Sequence, residues 1–319
     1  MTGLLLLAFF VAAGLVAPLL YPGSGGSLAV DHGVFDNCSA PSPPTAQFAP
    51  FGGGPHPLGQ TAHLGLDVAQ GLLLGTRWDL LLIAFLVGAS ALVGALLGAI
   101  AGAMGGRVES ILSPILDGTL AFPPLMVMVT VLAVTYSGPL EGSRMVVFLF
   151  GMLAVLWAPF AQGVRAQARS TAHQAFVEAA KASGARWPRI LLRHILPNCS
   201  APVLAQVPSS VFSVFFVLGF FQYLGLVAES SVVPNCGTVR VGLGVVHSIP
   251  SGLFLIVPSV RFPEWTWTLA NGLSGFTVGS ILPEWWGYLL PTAWIALFLL
   301  AVTLFCDGLA AHLSPFRGR

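Results

Sequence analysis

The residues that could carry chemistry in this sequence do not form a familiar catalytic pattern. The single lysine, Lys181, does not follow a Gly-x-x-x-x-Gly-Lys-Ser/Thr phosphate-binding loop. His-Glu-x-x-His and Gly-x-Ser-x-Gly are also absent. His56 and His63 lie seven residues apart in a turn-rich stretch, which indicates ordinary surface histidines rather than a metal site. We therefore expect no catalysis, no metal and no cofactor in this chain.

Carboxylates inside the apolar stretches would be needed by a proton-coupled pump, and the sequence places them elsewhere. Asp79, Asp117 and Asp307 lie at the ends of uncharged stretches rather than inside them. Ionisable residues within membrane spans usually mark ion pathways and proton relays. The sequence therefore disfavours a proton-coupled pump.

A basic segment, residues 164–200, has the most distinctive spacing in the chain. It holds six of the 13 Lys and Arg residues together with one acid, Glu178. The positive-inside rule predicts that such a segment is cytoplasmic. Its basic residues are Arg165, Arg169, Lys181, Arg186, Arg189 and Arg193.

The same segment predicts two short helices joined by a bend. Residues 174–183 are rich in alanine, and Gly184 is a natural C-terminal stop for a helix. Pro188 suits the first turn of a second helix, which Pro197 is expected to end. The bend would expose small side chains suited to a cleft on another protein: Ala179, Ala180 and Gly184. The alternative is a solvated basic loop.

Composition identifies the elements that position this loop. Hydrophobic residues make up 55% of the 319 residues and charged residues 8%, against about 25% charged in a soluble domain. This rules out a soluble globular protein, and a net charge of +1 leaves no basic surface for nucleic acid. Uncharged stretches of roughly 20 residues predict six transmembrane helices. They cover residues 3–20, 80–104, 119–136, 145–163, 202–226 and 285–306.

Six crossings and a cytoplasmic basic segment place both termini in the cytoplasm. The predicted organisation is then a first helix, an extracellular segment, a transmembrane core that contains the basic segment, an extracellular insertion, and a last helix with a cytoplasmic tail. The corresponding ranges are 1–20, 21–78, 79–226, 227–284 and 285–319.

Two stretches leave alternatives open. Residues 3–20 could be a secretory signal, but no basic residue precedes them and no clean cleavage site follows, which favours a span. Residues 241–260 are uncharged, but their glycines and prolines would interrupt a helix, so we expect them not to cross. The four tryptophans Trp265, Trp267, Trp285 and Trp286 suit a membrane–water interface.

Small residues and cysteines make two further predictions. Gly94, Gly98 and Gly102 recur at four-residue intervals, which predicts close helix packing, with a substrate path as the alternative. Of the four cysteines, Cys38 and Cys236 fall outside on this topology and are the pair that could form a lasting disulfide. The alternative is two unrelated small apolar residues.

The basic segment resembles a known family. Its Glu178-Ala179-Ala180 and Gly184 pattern, followed by Leu196-Pro197, resembles the EAA motif in permease subunits of binding-protein-dependent ABC importers. The sequence Arg-His-Ile-Leu-Pro-Asn at 193–198 resembles the dipeptide, oligopeptide and nickel branch. A second stretch, from His-Pro-Leu-Gly at 56–59 to Arg77, resembles the C-type subunit of that branch.

This resemblance implies a fold and a function. The implied fold is an all-α polytopic membrane protein with six transmembrane helices, the type I (MetI-like) importer permease fold, with a large extracellular insertion between helices 5 and 6. The implied function is a non-catalytic permease subunit that forms half of the translocation pathway for di- or oligopeptides or a similar solute. The alternative is a stand-alone secondary carrier or channel that no ATPase drives.

The resemblance also implies partners and a location. The partners would be a second permease subunit, two cytoplasmic ATPase subunits that bind ATP and Mg²⁺, an extracellular solute-binding protein, and membrane lipid. The location would be a prokaryotic inner membrane. The residues that the motif assigns to ATPase coupling are Glu178, Ala179, Ala180, Gly184, Arg189 and Pro197.

The chain also departs from the family pattern. It has Gln60-Thr61 where the family usually has Thr-Asp, and Leu66 where the family has arginine. Residues 227–262 look like an added extracellular insertion. We expect these differences to concern the outer gate and contacts with the binding protein, and to leave the fold intact.

Overall fold

The computed structural model of the protein describes residues 2–21, 56–60, 67–135, 144–223, 231–233, 255–257, 264–274 and 285–313. Apart from one short strand pair, regular structure in these ranges is helical. The helices are α1 (Thr2–Leu20), α2 (Val68–Met104), α3 (Gly106–Ala121), α4 (Pro124–Thr135), α5 (Arg144–Ala172), α6 (Ala175–Ala182), α7 (Trp187–Ile190), α8 (Ser200–Tyr223), α9 (Trp265–Ser274) and α10 (Trp285–Leu313). A π-helical turn, Leu191–Ile195, and a 3₁₀ turn, Leu196–Cys199, connect α7 to α8.

The long apolar helices agree with the predicted spans in number. The described residues contain 5 helices long and apolar enough to cross a membrane, or up to 6 if α3 and α4 form one bent span. Helices α1, α5, α8 and α10 contain most of four predicted spans. A polytopic helical membrane protein is therefore confirmed.

The second predicted span begins too late. Helix α2 starts at Val68, well before residue 80, because Asp67 caps its N-terminus by accepting hydrogen bonds from the backbone N–H groups of Ala69 and Gln70. Asp79 therefore lies inside α2 and is completely buried, so its predicted place at a helix end is wrong. A hydropathy window misses this first part of α2 because its polar residues are buried in protein rather than facing lipid.

The third predicted span, 119–136, is also wrong in its bounds. Helices α3 and α4 meet at a bend of 79°. Phe122 leaves the helical conformation, with ψ of 124°, as steric contact with the following proline ring favours. Pro123 and Pro124 supply no backbone N–H to continue the α3 hydrogen bonds. The apolar stretch therefore forms one limb of a bent pair that begins at Gly106.

Part of the predicted extracellular segment 227–284 packs against the helices. Helix α9 contacts α2, α8 and α10, and its first residue, Trp265, is completely buried. The Trp265 ring centroid lies 5.2 Å from that of Phe298, 5.6 Å from that of Phe215 and 5.7 Å from that of Phe10. The indole N–H donates to the carbonyl of Leu72 at 2.9 Å. Trp265 is thus a core residue, and its predicted place at the membrane–water interface is wrong.

The same is true of Trp267, which is 2% exposed. Elsewhere between α8 and α10 the structure describes one antiparallel strand pair, β1 (Ser231–Val233) with β2 (Leu255–Val257), in which Val232 faces Ile256. Apart from this short pair, the predicted all-α fold is confirmed over the described residues. The rest of the predicted insertion lies outside the described residues, and so do Cys38 and Cys236, whose pairing stays a prediction.

The glycine stripe on α2 is a packing surface, as predicted. Gly94, Gly98 and Gly102 face the backbone of α5, and a β-carbon at Gly98 would lie 2.9 Å from the Cα of Ala161. At Gly94 it would lie 2.6 Å from the Cβ of Phe160. Such short distances leave no room for a side chain, so the glycines allow the two helices to approach closely.

Alanine substitutions on α2 test this packing. We expect Gly98→Ala to lower the thermal unfolding midpoint of the purified protein, because overpacking typically costs about 1–3 kcal/mol. Gly88→Ala is the matched control, since no atom lies within 4 Å of a β-carbon there. The control should be neutral or slightly stabilising, because alanine favours a helix over glycine. An equal midpoint for both variants would contradict the packing role.

Candidate functional site

The basic segment forms the predicted bend. Helix α6 ends at Ala182, and Gly184 has a φ of +77°, a left-handed conformation that glycine adopts without strain. Its N–H donates to the carbonyl of Lys181 at 3.0 Å, and the N–H of Ala185 donates to that of Ala180 at 3.1 Å. This pair of hydrogen bonds is a Schellman motif. Gly184 therefore stops α6, as the sequence predicts.

The second half of the segment differs from the prediction. Pro188 lies in the first turn of α7, as expected. Pro197 does not end a helix, because the chain passes through the π-helical turn and the 3₁₀ turn directly into α8. Pro197 is tolerated because it occupies the start of the 3₁₀ turn, where no helical donor is lost. The segment after the bend is consequently continuous with a membrane-length helix.

Most of the predicted coupling residues form the exposed surface of this bend. Ala180 is the exception, since it is half-buried on the inner face of α6 and packs against the buried residues there. A β-carbon added at Gly184 would meet no described atom within 4 Å, so a side chain has room there. The exposed members are Glu178, Ala179, Gly184, Arg189 and Pro197. We call these five residues and Ala180 the elbow.

A separate apolar cluster fastens the elbow to the long helices. Val177 of α6, Ile190 of α7 and Ile195 of the π-helical turn are all buried. They pack with residues of α2, α5 and the 3₁₀ turn, namely Ala99, Val164, Ala168, Ala172 and Cys199. We call this set the cytoplasmic-end cluster, after the orientation that the sequence predicts for the basic segment. Movement of the elbow must therefore displace α5 and α8 or break this packing.

Two arginines of α5 bind α3 beside this cluster. Arg165 donates to the hydroxyl of Ser113 at 2.7 Å and lies 4.0 Å from the carboxylate of Asp117. Arg169 forms an ion pair with Glu109 at 3.1 Å. These arginines were identified in the sequence only as topology residues. The hydrogen-bond partners Ser113 and Glu109 could not be read from the sequence because they lie more than fifty residues from these arginines.

The stretch that begins at His56 forms a second organised region. The His56 Nδ1–H donates to Asp67 at 3.0 Å, and the Gln60 amide donates to His56 Nε2 at 2.7 Å. The carbonyl of Gln60 accepts a hydrogen bond from the Trp286 indole N–H at 3.1 Å. His56 thus supports the α2 N-cap and links it to the start of α10. His63 lies outside the described residues.

Within the described ranges, no group of three or more His, Cys, Asp or Glu side chains is arranged to hold a metal ion. Cys199 and Cys306 are both buried and free.

One feature that the sequence did not predict is a pair of buried acids, Asp79 and Glu264, which are 0% and 3% exposed. Asp79 and Glu264 lie almost two hundred positions apart in the sequence, so only the fold brings them together.

Long apolar helices with an exposed, anchored elbow define a polytopic membrane protein. Comparison with known proteins agrees. Residues 94–229, which contain the whole basic segment, match the family described as binding-protein-dependent transport system inner membrane component. The resemblance to this family that the elbow motif indicates is therefore confirmed over these residues.

Curated relatives cover most of the chain. It is 26% identical over 86% of its length to the di/tripeptide transport system permease protein DppC of Pseudomonas aeruginosa, of which the match covers 80%. It is 24% identical over 99% of its length to the dipeptide permease protein DppC of Bacillus subtilis, of which 81% is covered. The oligopeptide permease protein OppC of Bacillus subtilis is 26% identical, with coverage of 71% of this chain and 67% of OppC.

Substitution of Asp67 tests the region before α2. Asp67→Ala removes the cap and the His56 partner, so we expect a loss of roughly 1–2 kcal/mol in the free energy of unfolding. Asp67→Asn is the control, because its side-chain oxygen still caps the helix. Chemical denaturation of the detergent-solubilised protein measures both. Equal losses in the two variants would show that the cap contributes little.

Proposed function

We propose that the chain is the permease subunit of an ABC importer for peptides, and that it forms half of the translocation pathway. The family match and the dipeptide and oligopeptide names of the relatives support this assignment. The solute is a di- or oligopeptide or a chemically similar molecule. Like the permease relatives, the chain does not hydrolyse ATP itself.

The proposal includes a set of partners. A second permease subunit completes the pathway, two cytoplasmic ATPases bind ATP and Mg²⁺ and drive it, and an extracellular solute-binding protein delivers the peptide. The elbow is the docking element for an ATPase. Its exposed small residues, Ala179 and Gly184, permit close approach by a partner, and its basic neighbours Arg186 and Arg189 provide donors for hydrogen bonds.

The anchoring of the elbow supplies the route of coupling. ATP-driven closure of the ATPases pushes on the elbow, and the cytoplasmic-end cluster passes this displacement to α5 and α8. Since α7 runs without a break into α8, a tilt of the loop becomes a tilt of a membrane-length helix. Alternate tilts open the pathway to each side of the membrane in turn. The observation that carries this proposal is an exposed elbow on a buried base.

Substitution at Gly184 tests the coupling role. Gly184→Asp adds a side chain at a position where a β-carbon would meet no described atom within 4 Å, so the helices should still fold. The left-handed φ adds a cost of about 1 kcal/mol. We expect normal abundance in the membrane, loss of co-purifying ATPase, and loss of peptide uptake.

The controls separate charge from backbone strain. Gly184→Asn has nearly the same size and tolerates the same φ without the charge, so it should retain more ATPase. Ser110→Asp places a carboxylate on another exposed site, on α3, and should leave uptake unchanged. Full uptake and full ATPase retention in Gly184→Asp would favour a stand-alone carrier or channel instead.

The proposed topology places both termini and residues 164–200 in the cytoplasm of a prokaryotic cell, with the protein in its inner membrane. A single cysteine at Gln174, which is exposed, tests it in a variant without Cys38 and Cys236. We expect no labelling in intact cells by a membrane-impermeant thiol reagent, and full labelling after permeabilisation. Labelling from outside would contradict the orientation.

A further inference from the structure

Two acidic side chains are buried together beneath α9, and the transport mechanism uses neither. Asp79 lies on α2, and Glu264 directly precedes α9. The backbone N–H of Trp265, the residue after Glu264, donates to Asp79 Oδ2 at 2.8 Å. Both carboxyl groups are buried, and the hydrogen bond to Trp265 places Asp79 next to the residue that follows Glu264. The fold therefore brings two carboxyl groups of like charge into one buried site.

No described basic side chain neutralises this site. Helices α1, α8 and α9 contain no Lys, Arg or His. On α2, the guanidinium of Arg77 lies over the Trp78 ring, 6.0 Å from its centroid, and the side chain is exposed. On α10, Asp307 and His312 lie near the opposite end of the helix from α9. The remaining titratable groups on these elements are the phenols of Tyr21, Tyr223 and Tyr288 and the thiol of Cys306.

Some buried acceptor atoms at this site have no hydrogen-bond donor. Glu264 accepts from the Gln222 amide at 3.2 Å and from the Thr266 hydroxyl at 3.2 Å. Two buried oxygens, Asp79 Oδ1 and Gln222 Oε1, have no hydrogen-bond partner among the described residues. A buried acceptor without a donor is destabilising. A proton on either carboxyl group would create the O–H donor that these oxygens lack.

Burial opposes two negative charges at this place. Moving an unpaired carboxylate out of water is strongly unfavourable, so such groups take up a proton instead. Burial raises the pKa of Glu264, which precedes α9, from 4.5 to about 7, although the hydrogen bonds from Thr266 and Gln222 act in the opposite direction. The burial of both carboxyl groups, the lack of a described basic neighbour and the unpaired oxygens all favour the binding of a proton.

We propose that Asp79, Glu264 and the amide of Gln222 form a proton-binding site that holds α9 in the helix bundle. The site keeps one proton on the carboxyl pair while α9 is docked. When that proton leaves to water, two negative charges remain in a dry site, and α9 with Trp265 separates from α2. A proton is the ligand that fits because it needs no cavity. The proposal is independent of the peptide-importer assignment.

The direction of the pH dependence follows from linkage. Glu264 binds its proton more tightly in the docked state than in water. Docking is therefore fully stabilised below about pH 4.5, weakens as the pH rises, and loses this contribution as the pH passes about 7. Acid holds α9 in place, and alkali releases it.

Infrared spectroscopy of the full chain in lipid nanodiscs tests proton binding. We expect the carbonyl band of a protonated carboxyl group at about pH 6 and its disappearance at about pH 9. Glu264→Gln and Asp79→Asn should each abolish this pH-dependent band. Asp307→Asn is the matched control, because Asp307 is exposed, and it should leave the band unchanged.

A nitroxide spin label attached at position 273 of a Leu273→Cys variant reports the docking of α9. The label is attached before the titration, so the pH dependence of thiol reactivity does not affect the result. Leu273 is half-buried on α9. We expect an immobile label in acid and a mobile one in alkali in the otherwise unsubstituted chain, and no pH dependence after Glu264→Gln. Since the main titration needs no acid-site variant, a misfolded variant does not remove the test.

Two different results would contradict the proposal of a proton-binding site. A label whose mobility does not change with pH, together with no protonated carboxyl band in acid, would overturn the proposal. A label that responds to added Na⁺ or Ca²⁺ at constant pH, without a carboxyl band, would also overturn it and would assign the site to a metal cation.

Discussion

The close approach of α2 and α5 is the constraint on which the rest of the described structure depends. Three glycines on α2 lie against backbone atoms of α5, so the two helix axes are held at a short distance along several turns. In lipid no hydrophobic effect between helices compensates for a gap, and the association relies on packing and hydrogen bonds. The cytoplasmic-end cluster, the arginine contacts to α3, and the elbow all extend from the same end of this pair.

This arrangement explains how a loop without catalytic groups can have a mechanical role. The elbow is exposed to a partner, but its base consists of side chains such as Val177 and Ile195 that are completely buried. Packed interiors transmit displacement because they have little free volume to absorb it. A flexible basic loop would lack such a base, and a push on it would be lost in the motion of the loop itself.

Much of the fold was predictable because long apolar stretches have few structural alternatives in a membrane. Helices α1, α5, α8 and α10, the stop at Gly184 and the glycine stripe all follow from local sequence. Pro123 and Pro124 are a local signal for the break between α3 and α4, although hydropathy alone predicted one span there. The elbow motif, with a family resemblance, identified the candidate site.

The features that the sequence did not predict depend on contacts between distant residues. Asp79 and Glu264 have no local signal of burial, and Trp265 is equally compatible with a membrane surface and a protein core. Their environment is decided by the docking of α9 between α2, α8 and α10.

The buried acids also change one argument against a carrier. The expected lack of acidic residues inside the helices disfavoured a proton-coupled pump, yet Asp79 lies within α2. A proton-driven carrier needs a group that reaches both sides of the membrane in turn. Asp79 and Glu264 instead join one helix to a segment that packs on it, which suits a structural contact sensitive to pH. In the proposed importer the energy comes from ATP hydrolysis in a partner, and the proposed proton site acts on the docking of α9 rather than on the direction of transport.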